Sequence, residues 1–202
     1  MVKLPKSFWL IAPYAAWMVL MAVLPATATA YAVRTAATAA LFAAAAASLK
    51  LKVESLKCWK RSDLVLGLAV GLVVFAIWIL PEQFDWVWYR KWCIVGEGGT
   101  QAVAEANAAM IVVRLIGSAF VISVAEELFF RKWLISFAGF WWMVALFAVE
   151  HGDCWAVGAA AGVVYGLVAR RFGLPSAIAA HAVTNFALGL LVIFAGRWEF
   201  WR

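Results

Sequence analysis

Charge is scarce in this chain. Only 14% of its 202 residues are Asp, Glu, Lys or Arg, where a soluble domain carries about 25%. Its three cysteines, Cys58, Cys93 and Cys154, form no C-x-x-C pair, which removes zinc-ribbon and thioredoxin-type readings. Segments of alternating hydrophobicity are missing, which argues against an outer-membrane barrel. There is no G-x-S-x-G nucleophile turn and no H-E-x-x-H zinc helix. What is abundant is apolar surface: 67% of residues are hydrophobic and the mean hydropathy is +0.92. A chain of this size cannot hide that much apolar surface from water, so it is read as an integral membrane protein. Thirteen tryptophans fit a chain that meets the lipid–water boundary repeatedly.

The net charge of +6 does not point to nucleic acid. The positive residues fall in short clusters between apolar runs, as topology signals and lipid headgroup contacts do. Membrane lipid is therefore an expected partner and nucleic acid is not.

The expected fold is all-α: one integral membrane domain over residues 1–202, a polytopic bundle of about seven transmembrane helices. A span needs roughly 20 apolar residues. The spans are read as Phe8–Leu24, Tyr31–Leu49, Leu64–Leu80 ending at Pro81, Ala104–Ser136, Phe140–His151, Trp155–Arg171 and Pro175–Ala195. The segment "PEQFDWVWYRKWCIVGEGGTQ" reads as interfacial, with a turn at Gly96–Gly99. Lys3, Lys6, the cluster from Lys50 to Arg61, Arg131, Lys132, Arg170 and Arg171 then share one side. The positive-inside rule puts that side, and the N-terminus, in the cytoplasm, in what reads as a bacterial inner membrane. "PATATAYA" after the first run resembles a signal-peptide cleavage site, but the run is long for that role. An uncleaved first helix is expected.

Polar residues inside spans mark function by default. From residue 104 onward they are Arg114, Glu126, Glu127, Arg131, Glu150, His151, Asp153, His181 and Asn185, and they include both histidines of the chain. Glu127 and Arg131 are four apart and can pair on one helix face. Glu126, rotated about 100° away, is left over. His181 and Asn185 also share a face, which on its own would fit polar glue between helices. Rise per residue puts Glu126, His151 and His181 at similar depths, about 10–20 Å along their helices. They are expected to share a wet cavity with Asn185 on the cytoplasmic half of the membrane. The fifth span is short, about 18 Å, so "HGDCW" would sit below the outer surface beside that cavity. Asp153 is expected to cap the sixth span.

The chemistry of such a set is hydrolytic. A carboxylate and an imidazole can take a proton from water. A second imidazole and an amide N–H can stabilise an oxyanion. No cofactor is expected. One carboxylate and two histidines are also a zinc ligand set, so Glu126, His151 and His181 would hold a divalent metal if the site used one.

Three motifs carry a resemblance: E-E-x-x-x-R in "EELFFR" (Glu126, Glu127, Arg131), F-x-x-x-H in "FAVEH" (Phe147 to His151) and H-x-x-x-N in "HAVTN" (His181 to Asn185). In this order the chain resembles the CAAX prenyl endopeptidase and bacteriocin-processing family, the type II CAAX proteases, and among them the related group found beside bacterial exosortase systems. The likeness covers about residues 105–195, which would be the catalytic core. Residues 1–103, the N-terminal spans and interfacial loop, carry no motif. The resemblance implies an intramembrane endopeptidase that cleaves a membrane-associated peptide or protein. Glu126 would be the general base with His151, His181 and Asn185 the oxyanion site, and Glu127 and Arg131 the support. "GDCW" after the motif histidine is more acidic than in many relatives. The competing expectation is a non-catalytic membrane partner or bacteriocin-immunity-type protein that keeps the fold.

Overall fold

The computed structural model describes residues 4–48, 60–92 and 107–201. Within them the chain is helical, with no strand. Lipid offers no partner for a backbone N–H or C=O, so a chain this apolar must satisfy its backbone internally. The helices are α1 (Lys6–Val23), α2 (Ala28–Ser48), α3 (Arg61–Gln83), the short α4 (Val87–Trp92), α5 (Ala108–Ala138), α6 (Phe140–Glu150), α7 (Trp155–Phe172) and α8 (Leu174–Ala195). Five of them, α1, α3, α5, α7 and α8, are long and apolar enough to cross a membrane. α2 has 21 residues, but alanine and threonine make it less apolar. α6 has only 11 residues, about 16 Å against a hydrocarbon core of about 30 Å. The protein is an all-α membrane bundle; five of the seven expected spans are long and apolar enough to cross, and α2 and α6 stand in the places of the other two.

Most boundaries fall within a turn of their expected places. Pro81 does not stop α3, which runs on to Gln83. So close to the C-terminal end a proline removes one helical hydrogen bond and little else. Asp153 does not cap α7. A 3₁₀ turn, Gly152–Cys154, separates His151 from the helix, and Cys154 occupies the cap position without a side-chain capping bond. Gly96–Gly99, Cys58 and Cys93 lie outside the described residues.

Packing fixes how the helices run. Gly67 of α3 approaches Ala179 of α8, and Gly71 approaches Ala180 and Val183, so these two helices are parallel. A Cβ on Gly71 would stand 2.6 Å from the Ala180 carbonyl oxygen, a position only glycine fits. α5 runs antiparallel to α8, since Glu127 meets His181 and Ser118 meets Asn185. α6 and α7 are antiparallel, with Phe147 against Gly162 and His151 against Gly158.

Two ends of the bundle follow. The first holds Lys6, the Asp63–Ser176 hydrogen bond (3.1 Å) and the glycine turns at Gly139 and Gly173. Both glycines have φ above 90°, which a residue with a Cβ rarely adopts. The second end holds the α1–α2 turn, α4, His151–Cys154 and the C-terminal residues, with Arg197 donating to Gln83 at 3.2 Å.

Candidate active site

α5 is not a uniform α-helix. Gly117–Ile122 and Glu127–Leu134 are π-helical, on either side of the α-helical Ser123–Glu126. Wide turns of this kind recur at functional sites. Here they bracket Glu126, and Glu127 opens the second of them.

Glu127 points into a sealed layer and is fully buried. One carboxylate oxygen lies 3.1 Å from an Arg131 guanidinium nitrogen and 2.9 Å from His181 Nδ1. Arg131 lies over the Phe147 ring, 4.0 Å from its centroid. Tyr165 stacks on the His181 imidazole, with centroids 4.7 Å apart, and donates its hydroxyl to Thr184 at 2.8 Å. Thr184 is in turn within 2.9 Å of the Gly71 carbonyl. Ion pairing, ring faces and a hydrogen-bond chain together hold His181 in one orientation, with Nδ1–H donating to Glu127.

Glu126 points the other way. Its Oε2 is buried and makes no hydrogen bond. It faces His181 Nε2 across 3.7 Å, beyond hydrogen-bonding length. Glu126 also lines a cavity of about 380 Å³ together with Glu150, His151 and Asn185. His151 Nδ1 lies 2.7 Å from the Phe147 carbonyl. That contact requires the hydrogen on Nδ1 and leaves the Nε2 lone pair available. Asn185 donates both amide hydrogens, to the Ser118 carbonyl at 3.0 Å and to the Ser123 hydroxyl at 3.1 Å. The Ser118 carbonyl can only accept, so it fixes which way the amide points.

The structure therefore brings Glu126, His151 and Asn185 to one cavity and sets His181 behind Glu126, outside the lining. Glu127 and Arg131 lie in the sealed layer. Two points depart from expectation. The amide hydrogens of Asn185 are already engaged, so an oxyanion would compete with Ser118 and Ser123 for them. The cavity also does not lie toward the end that holds Lys6. It runs to the second end, past Arg114, Tyr89, Glu82 and Trp201. Below the site the first end is filled by Phe130, Met143, Phe147 and Tyr165, each at most 1% exposed. Depth counted along single helices cannot reveal which end is plugged.

Sequence reasoning left two contributors without a role. Glu150 precedes the motif histidine and forms part of the cavity wall, and the Tyr14 hydroxyl lies close to it. Tyr14 comes from α1, where no motif marks it. Trp17, Met21 and Trp78 from α1 and α3 also line the cavity. A signal existed for Glu150, an acid next to a site histidine; none existed for the others. Among the described residues no three His, Cys, Asp or Glu groups converge closely enough to hold a metal.

No curated protein and no solved structure matches the chain. Residues 108–187, which span all three motifs from α5 into α8, match the family model described as type II CAAX prenyl endopeptidase Rce1-like.

Proposed function

We propose that this protein is an intramembrane endopeptidase that hydrolyses a peptide bond of a membrane-associated substrate without a bound cofactor. One observation carries the reading: a buried carboxylate oxygen of Glu126, without a hydrogen-bond partner, beside a cavity that His151 also lines. Burial of such an oxygen costs stability unless something occupies the space next to it. A water or a substrate group would fill that role.

The steps follow from the donors and acceptors. A water in the cavity donates hydrogens to Glu126 and to the free Nε2 of His151. As its oxygen attacks the carbonyl carbon, Glu126 takes the proton. The carbonyl oxygen gains the charge and is stabilised from the Asn185 and His181 side. Asn185 gives up one of its two serine bonds to do so, and His181 donates from Nε2 when it carries a hydrogen there. Glu126 then passes the proton to the amine nitrogen as the C–N bond breaks. Glu127 and Arg131 keep His181 in place and touch no substrate. The protein would sit in a bacterial inner membrane with Lys6 on the cytoplasmic side.

The test is purified protein assayed against a library of quenched fluorescent apolar peptides, with Glu126→Ala and His151→Ala as matched controls. Cleavage by the native chain that both variants lose supports the reading. Cleavage retained in Glu126→Ala would falsify the water-activating role and favour the non-catalytic partner.

A further inference from the structure

The place of the cavity in the bundle bears on where the substrate comes from. The walls between Glu126 and the opening are built from the second end: Met21 near the end of α1, Glu82 near the end of α3, Tyr89 of α4, Arg114 near the start of α5, and Trp201 after α8. No lining residue comes from the first end.

The two ends differ in charge. Among the described residues the first end has six lysines and arginines, Lys6, Lys60, Arg61, Lys132, Arg170 and Arg171, against one acid, Asp63. Outside the buried site, the described residues of the second end include five cations and four acids. A bias of this size orients a membrane protein with the cation-rich end in the cytoplasm. Both ends carry exposed tryptophans, Trp141 and Trp142 at the first and Trp86 and Trp88 at the second, where Trp198 and Trp201 also pack edge-on. Tryptophans at that level sit among lipid headgroups.

Depth limits what can enter. Arg114 stands near the opening and Glu126 lies twelve residues further along α5, a descent of about 18 Å. An extended peptide covers that in about five or six residues. A space of about 380 Å³ suits a few residues of extended chain at a time rather than an intact helix about 10 Å wide.

We infer that the substrate reaches the site from the non-cytoplasmic face, as an extended stretch or terminus of an exported, membrane-anchored polypeptide. The inference rests on the hydrolytic reading for the word substrate, but the direction of access does not depend on it.

Two measurements separate the claims. In a bacterial host, the full chain with Cys58, Cys93 and Cys154 changed to Ser receives one new cysteine, Phe84→Cys at the second end or Lys6→Cys at the first. A membrane-impermeant sulfonated maleimide is added to spheroplasts. Phe84→Cys should label before lysis and Lys6→Cys only after it. The reverse pattern, or equal labelling of both before lysis, overturns the inference. In the second measurement, a peptide cleaved in detergent is given a sulfonated fluorophore and offered to sealed vesicles of either orientation. Cleavage should occur in right-side-out vesicles and be at least tenfold slower in everted ones. Cleavage confined to everted vesicles overturns the inference and leaves the hydrolase reading intact. If the labelling is as expected and no library peptide is cleaved in detergent, the hydrolase reading fails and the access direction stands.

Discussion

Glu126 and Glu127 are neighbours in sequence and opposites in circumstance. Around Glu127 one oxygen, Oε1, meets an arginine and a histidine nitrogen, with a tyrosine–threonine–carbonyl chain behind them, while its Oε2 is sealed in the packing without a hydrogen bond. Around Glu126 there is a cavity, and one oxygen has no partner. A helix turns about 100° per residue, so one step along the chain suffices to put one carboxylate on the cavity wall and the next in the packed layer. The comparison teaches that the motif's two acids are not redundant. One is paired with an arginine and a histidine, and the other faces a cavity with His181 Nε2 near it, at 3.7 Å.

The most severe way to break the contrast is to neutralise each acid alone. Glu126→Gln should lower turnover by about 10²–10⁴, the usual worth of a general base, with an unchanged melting temperature. Glu127→Gln should reverse the pattern, losing stability first. Paired kinetics and thermal melts decide this, and a melting loss in Glu126→Gln as large as in Glu127→Gln would erase the distinction.

Removing the cation comes next. Arg131→Ala leaves Glu127 as a buried charge without its guanidinium, at a cost of about 3–5 kcal/mol. Folded yield after detergent extraction should fall sharply. Normal yield with lost activity would instead place Arg131 at the reaction.

Asn185→Ala sharpens the question of the oxyanion. A donor to the transition state is worth about 10²–10³ in kcat, so loss of that size with KM held would show that the amide leaves its serine partners during reaction. If Asn185 only ties α8 to α5, its loss costs about 1 kcal/mol per bond, which a thermal melt detects while kcat stays within a few-fold.

The smallest expected effect tests the scaffold from a distance. Gly71→Ala puts a methyl group against the Ala180 carbonyl and the Val183 side chain. Overpacking of this kind costs about 1–3 kcal/mol. Because Thr184 bonds the Gly71 carbonyl, the shift should reach Tyr165 and His181, so kcat should drop more than the loss of stability alone accounts for.

Much of this was legible from the residues. The helical class followed from composition, because a chain so apolar has few ways to satisfy its backbone in lipid. The Glu127–Arg131 pair followed from spacing along one helix. The opening of the cavity did not, because it depends on which end is filled by Phe130, Met143 and Phe147, and those side chains look the same in sequence wherever they pack. Tyr14 was invisible for a related reason: it belongs to the first helix, and a contact with Glu150 across 136 positions leaves no local pattern. The engagement of Asn185 needed Ser118 and Ser123, two ordinary serines until α5 is folded around them.

The two wide turns of α5 have a mechanical consequence. Each closes its hydrogen bonds to the fifth residue rather than the fourth, so each holds a residue more than the plain helix would over the same length. They act as phase shifters on either side of Ser123–Glu126. Were Glu127–Leu134 to close as an ordinary helix with all its residues kept, the extra residue would rotate everything beyond Leu134 by about 100° relative to Glu126. The wide turn absorbs that residue and keeps the helix beyond in phase with the turn before it. What the site inherits is thus a count of residues as well as their identities, and inserting one residue into this stretch should be less well tolerated than most substitutions.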